Sequence, residues 1–151
     1  MKRAVNPMSK PLQVIIHIDG GARGNPGPAA AGVVVRDADG TSLYEAGLYL
    51  GTATNNVAEY SGLLAGLKKA AELGAADVEV VSDSELMVRQ MNGVYRVKNE
   101  GLKPLFEDAR QLQRHFKVFT IRHVRREHNK DADGLVNEAI DRKKNVGDAA
   151  V

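Results

Sequence analysis

Four acidic residues stand at points in the chain where a charge needs a partner. Asp19 ends a largely apolar, β-branched run over residues 14–18 and is followed at once by two glycines. Such a run is typical of a strand buried on both faces, and a carboxylate at its end is costly unless something pairs with it. Asp83 ends a second short apolar run, whereas Glu59 and Asp133 come near the starts of two predicted helices.

Each acid has an ordinary structural explanation when it is taken alone. Glu59 and Asp133 would favour the dipoles of their helices from the first turn, Asp83 would cap a helix, and Asp19 would cap a turn. Taken together, the four acids favour another explanation. If the strands that end at Asp19 and Asp83 are neighbours, their carboxylates meet at one sheet edge and repel each other unless cations neutralise them. Carboxylate oxygens suit Mg²⁺ or Mn²⁺, and two such ions can hold the attacking and leaving oxygens of a phosphoryl displacement.

The periodicity of apolar residues predicts the elements that must position these acids. Strands are predicted at about 13–19, 30–36, 42–50, 77–81 and 118–124, and helices at about 57–73, 84–91, 99–115 and 130–142. Residues 20–28 form a glycine- and proline-rich loop that lacks the Gly-Lys-Ser/Thr ending of a phosphate-binding P-loop. The order β-β-β-α-β-α-α-β-α predicts an α/β fold, with a mixed sheet and helices on its faces.

Length and composition set the broad class. A chain of 151 residues suits one domain, and we expect a flexible arm over residues 1–12, a domain over 13–142 and a flexible tail over 143–151. The absence of cysteine excludes disulfides, thiolate zinc sites and a cysteine nucleophile. No apolar run is long enough for a signal peptide or a membrane span, so we expect a cytoplasmic protein that contacts no membrane. A net charge of +2 is too small to indicate nucleic-acid binding by itself.

The motifs around the four acids occur in an order that resembles a known family. They are Ile18-Asp19-Gly20-Gly21 with Gly24-Asn25-Pro26-Gly27, then Thr54-Asn55-Asn56-Val57-Ala58-Glu59, then Ser82-Asp83-Ser84, then His128-Asn129-Lys130-Asp131-Ala132-Asp133. Over about residues 13–142 the chain resembles type 1 ribonuclease H, especially archaeal and actinobacterial members that lack a basic protrusion. The resemblance implies a five-stranded mixed sheet in the order 3-2-1-4-5, with strand two antiparallel to the others and about four flanking helices.

The resemblance also implies an activity. Members of this family cleave the RNA strand of RNA–DNA hybrids with two Mg²⁺ ions and leave 3′-hydroxyl and 5′-phosphate ends. By position, Asp19, Glu59, Asp83 and Asp133 would hold the metal ions, with Asp19 between the two, and Mn²⁺ could replace Mg²⁺. We expect the partner to be an RNA–DNA hybrid and the protein to be a monomer. Some actinobacterial relatives fuse such a domain to a phosphatase-like one, so the chain could be part of a longer protein.

Several polar residues match positions that contact the hybrid in the family. They are Gly21, Asn25, Thr54, Asn55, Asn56, Ser84 and Asn129. Amide and hydroxyl groups both donate and accept hydrogen bonds, which suits the minor groove and the 2′-hydroxyl. Helix capping is an alternative role for Asn55 and Asn56, and the two roles can coexist.

A further residue is expected before Asp133, where the family often places a mobile histidine. The loop in this chain is shorter, and we expect Arg126 to take that role, with His128 as the second candidate. An arginine cannot act as a base near pH 7, but it can hold or release a phosphate. The alternative is that these residues form a solvated basic loop.

Two other functions fit the same residues. One is a non-catalytic nucleic-acid-binding domain. The other is a different metal-dependent nuclease on the same fold, such as a 3′–5′ exonuclease or an integrase-like strand-transfer enzyme. Internal cuts in a long hybrid would distinguish an endonuclease from an enzyme that trims ends.

Overall fold

The computed structural model describes residues 11–150, which form one sheet with helices on both of its faces. The strands are β1 (Gln13–Ala22), β2 (Gly27–Asp37), β3 (Ser42–Ala53), β4 (Asp77–Ser82), β5 (Val118–His123) and β6 (Val146–Gly147). The helices are α1 (Asn55–Glu72), α2 (Glu85–Met91), α3 (Lys103–Gln113) and α4 (Lys130–Arg142), and a short 3₁₀ turn, Arg126–His128, precedes α4. None of the helices in this part of the chain is long and apolar enough to cross a membrane.

The strand order is β5-β4-β1-β2-β3-β6. Strand β2 is antiparallel to β1 and β3, whereas β4 is parallel to β1 and to β5. The expected order 3-2-1-4-5, with strand two antiparallel, is therefore confirmed for the five long strands.

The sixth strand corrects the expectation for the end of the chain. A flexible tail was predicted from residue 143, but Val146 is buried and pairs with Gly47 at the edge of β3. A strand of two residues is too short to produce a periodic pattern that could predict it. Residues 1–10 of the predicted arm lie outside the described part of the chain.

Strand β1 runs past Asp19 instead of ending there. Gly20, Gly21 and Ala22 continue the antiparallel pairing with β2, so the predicted loop over residues 20–28 shrinks to a turn at 23–26. Asp19 therefore lies inside the sheet rather than in a loop beyond it. This placement restricts its side chain more tightly than a loop would.

The core lies mainly between the sheet and α1 to α3. Ile16 and Ile18 of β1, Val33 of β2, and Leu63 and Leu67 of α1 are all almost fully buried in one apolar cluster. Helix α4 packs on the other face of the sheet, where Val136, Ala139 and Ile140 form a second, smaller cluster with Ala30 and Val146.

Two glycines bring helix backbones into direct contact with the strands beside Asp19. A Cβ at Gly20 in β1 would overlap the backbone of Ala58 and Glu59 in α1. A Cβ at Gly32, which pairs with Asp19, would overlap the carbonyl oxygen of Ala132 in α4. Because glycine has no side chain, the helices that carry Glu59 and Asp133 can lie close to Asp19 at these two positions.

We expect Gly32→Ala to destabilise the protein by about 1–3 kcal/mol, because its methyl group would push α4 away from β2. Gly134→Ala is the matched control. Gly134 lies in the same helix with open space around its Cβ position, so that substitution should stabilise the protein by about 0.5–1 kcal/mol. Urea unfolding would measure both free energies. Equal stability of the two variants would show that α4 does not rest on Gly32.

Candidate active site

Asp19 and Asp83 come together through the register of two neighbouring parallel strands. Ile18 of β1 pairs with Ser82 of β4, so the next residue of each chain segment is one of the two acids. Asp19 is only 7% exposed, and the Asp83 side chain is 15% exposed. The predicted meeting of these two carboxylates is confirmed, although only β4 ends there, since β1 continues to Ala22. Asp83 does not cap α2, because the Ser84 hydroxyl accepts the capping hydrogen bond from the Met87 N–H.

Glu59 and Asp133 approach from α1 and α4. Helix α1 begins at Asn55, two residues earlier than predicted, so Glu59 lies beyond the first turn and the dipole explanation for it is wrong. Asp133 does lie in the first turn of α4, where its N–H donates to the Asn129 carbonyl oxygen at 3.1 Å. The dipole therefore accounts for Asp133 but not for Glu59.

The surroundings of Asp19 and Glu59 disfavour the ionised form of both carboxyl groups. Burial, and after it the negative charge of Asp83, together raise the pKa of Asp19 to about 8. Burial also raises the pKa of Glu59 to about 7, although a hydrogen bond with the Ser84 side chain partly opposes the shift. A bound cation would reverse this balance because it stabilises the ionised carboxylates.

The four acids line one cavity of about 620 Å³. The other residues that line it are Gly20, Gly21, Ala22, Arg23, Asn25, Asn55, Asn56, Ser84, Arg126, Val136, Asn137 and Ile140. The Arg126 side chain is 80% exposed, and its Nε lies 4.0 Å from Oδ2 of Asp83. His128 instead lines a separate cavity of about 220 Å³ beside His17 and Arg36. The structure thus places Arg126, and not His128, beside the carboxylates.

Two asparagines connect the first loop to the start of α1. Oδ1 of Asn25 accepts from the Asn55 N–H at 3.0 Å, and Oδ1 of Asn55 accepts from the Ala22 N–H at 2.8 Å. Thr54 caps the helix by accepting from the Val57 N–H and does not line the cavity. The capping role considered for the asparagine pair therefore belongs to Thr54. With their oxygens occupied, Asn25 and Asn55 have amide N–H groups to offer a ligand.

Asn129 is a structural residue, not the substrate contact that the sequence suggested. It is 2% exposed, its Nδ2 donates to the Ile18 carbonyl oxygen at 2.7 Å, and its Oδ1 lies 3.3 Å from Nδ1 of His17. The bridge joins the start of α4 to the residue before Asp19. His17 is half-buried, and burial lowers the pKa of its ring, although the hydrogen bond with Asn129 opposes that shift.

Sequence reasoning missed two polar residues of the cavity, Arg23 and Asn137. Asn137 follows Asp133 by four residues, so helical spacing alone could have placed both side chains on one face of α4. Arg23 lies in a turn without periodicity, and only the structure shows that it reaches the cavity.

The donor chemistry of the cavity fits hard divalent cations. All four acids offer carboxylate oxygens, which are the ligands that Mg²⁺ and Mn²⁺ prefer. Within residues 11–150, no group of three or more acidic or histidine side chains is gathered closely enough to hold a metal ion as arranged here. The acids share one cavity, and the raised pKa of Asp19 marks a site where a cation would stabilise the ionised form.

Comparisons with known proteins agree with this geometry. A family model described as reverse transcriptase-like matches residues 17–139. The chain is 43% identical over 129 residues to Ribonuclease HI of Halobacterium salinarum, covering 85% of this chain and 65% of that protein. It is 46% identical to LC11-RNase H1, solved in complex with an RNA/DNA hybrid, with a TM-score of 0.82 over 87% of this chain and 99% of that one. The chain belongs to the type 1 ribonuclease H family.

This ribonuclease H-like chain is also related to a longer protein. It is 47% identical over 131 residues to the bifunctional protein Rv2228c of Mycobacterium tuberculosis. The match covers 86% of this chain but 36% of the mycobacterial protein, so the chain spans about a third of that relative's length.

We expect Asn129→Ala to lower the free energy of unfolding by about 1–3 kcal/mol, because it leaves the buried Ile18 carbonyl without its donor. Asn145→Ala is the matched control, since Asn145 also bonds a backbone group, the Tyr49 N–H, but at an exposed position. Its cost should stay below about 1 kcal/mol. Chemical denaturation of both variants would test the comparison. An equal loss in the two would mean that the Asn129 bridge contributes no more than a surface bond.

Proposed function

We propose that this chain hydrolyses the RNA strand of RNA–DNA hybrids and leaves 5′-phosphate and 3′-hydroxyl ends. The observation that carries the proposal is the convergence on one open cavity of four acids from separate parts of the fold: Asp19 of β1, Glu59 of α1, Asp83 just after β4, and Asp133 of α4. The family relationship supports it, because the relatives include a named Ribonuclease HI and an enzyme solved with a hybrid.

The four carboxylates of Asp19, Glu59, Asp83 and Asp133 would hold two Mg²⁺ ions, or Mn²⁺. When bound, such ions supply Lewis-acid stabilisation of the phosphoryl oxygens and lower the pKa of an attacking water. The chain offers no cysteine nucleophile, and this chemistry requires none.

The remaining polar residues would orient the hybrid. The amide N–H groups of Asn25 and Asn55 suit acceptors in the minor groove and the 2′-hydroxyl, which distinguishes RNA from DNA. Gly21 and Asn56 line the same cavity as Asn25 and Asn55. Arg126 would hold the phosphate next to Asp83 and release it after cleavage, since its guanidinium stays charged near pH 7. A cytoplasmic location and a monomeric state remain predictions.

The first test uses four matched, end-labelled duplexes: RNA–DNA, RNA–RNA, DNA–DNA, and DNA with a single ribonucleotide. With Mg²⁺ or Mn²⁺, we expect internal cuts in the RNA strand of the hybrid and none in EDTA, because the carboxylates need divalent ions to act. Asp83→Asn should reduce cleavage by at least about 1,000-fold, the equivalent of roughly 4 kcal/mol in the barrier. Its circular dichroism and thermal midpoint should show an intact fold.

Other results would favour the alternative functions. Stepwise trimming from one end would indicate an exonuclease. Hybrid binding without cleavage would indicate a nucleic-acid-binding domain. An enzyme should be stabilised against heat by Mg²⁺, and Asp19→Asn should lose that stabilisation, so a parent protein that Mg²⁺ does not stabilise would also favour the binding domain. Substantial cleavage by Asp83→Asn would contradict the role of the four carboxylates.

The second test compares Arg126→Ala with His128→Ala. We expect the arginine variant to lower kcat by about 10- to 100-fold, because it loses one charged donor to the phosphate. The histidine variant should stay within about twofold of the parent, since His128 lines the neighbouring cavity instead. Steady-state cleavage of the hybrid would measure both. A larger effect of His128→Ala would reverse the assignment.

A further inference from the structure

Two arginines line the carboxylate cavity, and only one has been given a role. Arg126 lies beside Asp83, whereas Arg23 belongs to the turn between β1 and β2. A polyanionic substrate that approaches four carboxylates is repelled unless cations at the cavity offset them. Arg23 is therefore a candidate for a second contact with the substrate.

The backbone around Arg23 is held firmly. Its N–H donates to the Pro28 carbonyl oxygen at 2.8 Å, and the N–H of the preceding Ala22 donates to Asn55. Asn25, two residues later, accepts from the N–H of Asn55. The turn is thus fixed to the start of α1, and Arg23 extends from the same wall as the two amide groups proposed to contact the hybrid.

The guanidinium of Arg23 makes an ion pair that a phosphate could replace. Its Nη1 bonds Oδ1 of Asp141 in α4, and the two side chains are 49% and 62% exposed. An exposed ion pair contributes little to stability, so it is a weak reason to place an arginine here. An arginine side chain can donate two parallel hydrogen bonds to a phosphate. Arg23 would therefore lose little binding energy if it exchanged the Asp141 carboxylate for a phosphate.

Helix α4 places this pair at a distance from the reaction centre. Asp133, Asn137 and Asp141 follow each other at four-residue spacing, so they lie along one face of the helix. Eight residues of helix span about 12 Å between Asp133 and Asp141. A nucleic-acid strand carries one phosphate per roughly 3.4 Å of duplex axis, so the Arg23 pair lies about two to four nucleotides from the phosphate that is cut.

We propose that Arg23 binds a backbone phosphate of the hybrid two to four nucleotides from the cleaved one, and that Asp141 holds its guanidinium in place in the free protein. This assignment rests on the proposed function, because it takes the hybrid as the ligand. It adds a second phosphate subsite to the cavity, about two turns of α4 away from Asp133 and the reaction centre.

The test measures binding of a fluorescent RNA–DNA hybrid by anisotropy, in Mg²⁺ and in an Asp83→Asn background that prevents cleavage. Arg23→Ala should weaken binding about three- to tenfold and reduce the slope of log K against log salt by about 0.9, as expected for one lost phosphate contact. Arg23→Lys should recover part of the affinity, because it keeps the charge but not the paired hydrogen bonds. Asp141→Asn should bind at least as tightly as its parent.

Arg142→Ala is the matched control. Arg142 follows Asp141 in α4 and carries the same positive charge as Arg23. It pairs with Glu138, and the two side chains are 55% and 50% exposed, but Arg142 does not line the cavity. Its loss should leave the salt slope unchanged. Equal slopes for Arg23→Ala and Arg142→Ala, with both variants folded by circular dichroism, would overturn the Arg23 subsite.

A second readout locates the phosphate. Hybrids that carry one neutral methylphosphonate at successive positions should show one position, two to four nucleotides from the cut, where neutralisation weakens binding to the parent but not to Arg23→Ala. The absence of such a position would also overturn the subsite. A parent protein that cleaves hybrids, together with unchanged binding by Arg23→Ala, would leave the proposed function intact and reject only this contact. Binding without cleavage would reject the enzyme and still allow the Arg23 measurement, and no hybrid binding would reject both.

Discussion

Repulsion among the carboxylates gathered around Asp19 is the constraint on which this structure depends. The register of β1 and β4 brings Asp19 and Asp83 to adjacent positions, and both the burial of Asp19 and the charge of Asp83 raise its pKa. A fold that held these groups loosely would let them move apart into water, where ionisation costs less. The surrounding structure must therefore hold them in place through interactions that do not involve the charges themselves.

Backbone contacts and one buried amide provide that support. Gly20 of β1 and Gly32 of β2 let α1 and α4 touch the sheet beside Asp19, and a side chain at either position would separate the helix from the sheet. Asn129 connects the other end of the same region, since it bonds the carbonyl of Ile18 while its own carbonyl receives the N–H of Asp133. None of these three residues carries charge, yet each fixes the position of an acid that does.

The positive charges lie at the cavity without neutralising its centre. Arg126 lies 4.0 Å from Asp83 with most of its side chain in solvent, and Arg23 pairs with exposed Asp141 two helical turns from Asp133. Exposed ion pairs contribute little to stability, so these guanidinium groups can exchange their carboxylate partners for phosphates. This arrangement leaves the carboxylates free for divalent ions while it offsets their repulsion of a nucleic acid.

Apolar periodicity predicted the five long strands and short motifs marked the four acids, because both are local signals. The order of the strands was expected only from the resemblance to ribonuclease H, since no local pattern specifies which strands are neighbours. The sequence also indicated Arg126 ahead of His128. Only the tertiary structure placed Arg23 in the cavity, showed that Asn129 is a buried bridge, and paired Val146 with β3. These features depend on contacts between residues far apart in the chain, such as Arg23 with Asp141 and Asn129 with Ile18. A pattern of neighbouring residues carries no record of such contacts, since they arise only when helices and strands pack.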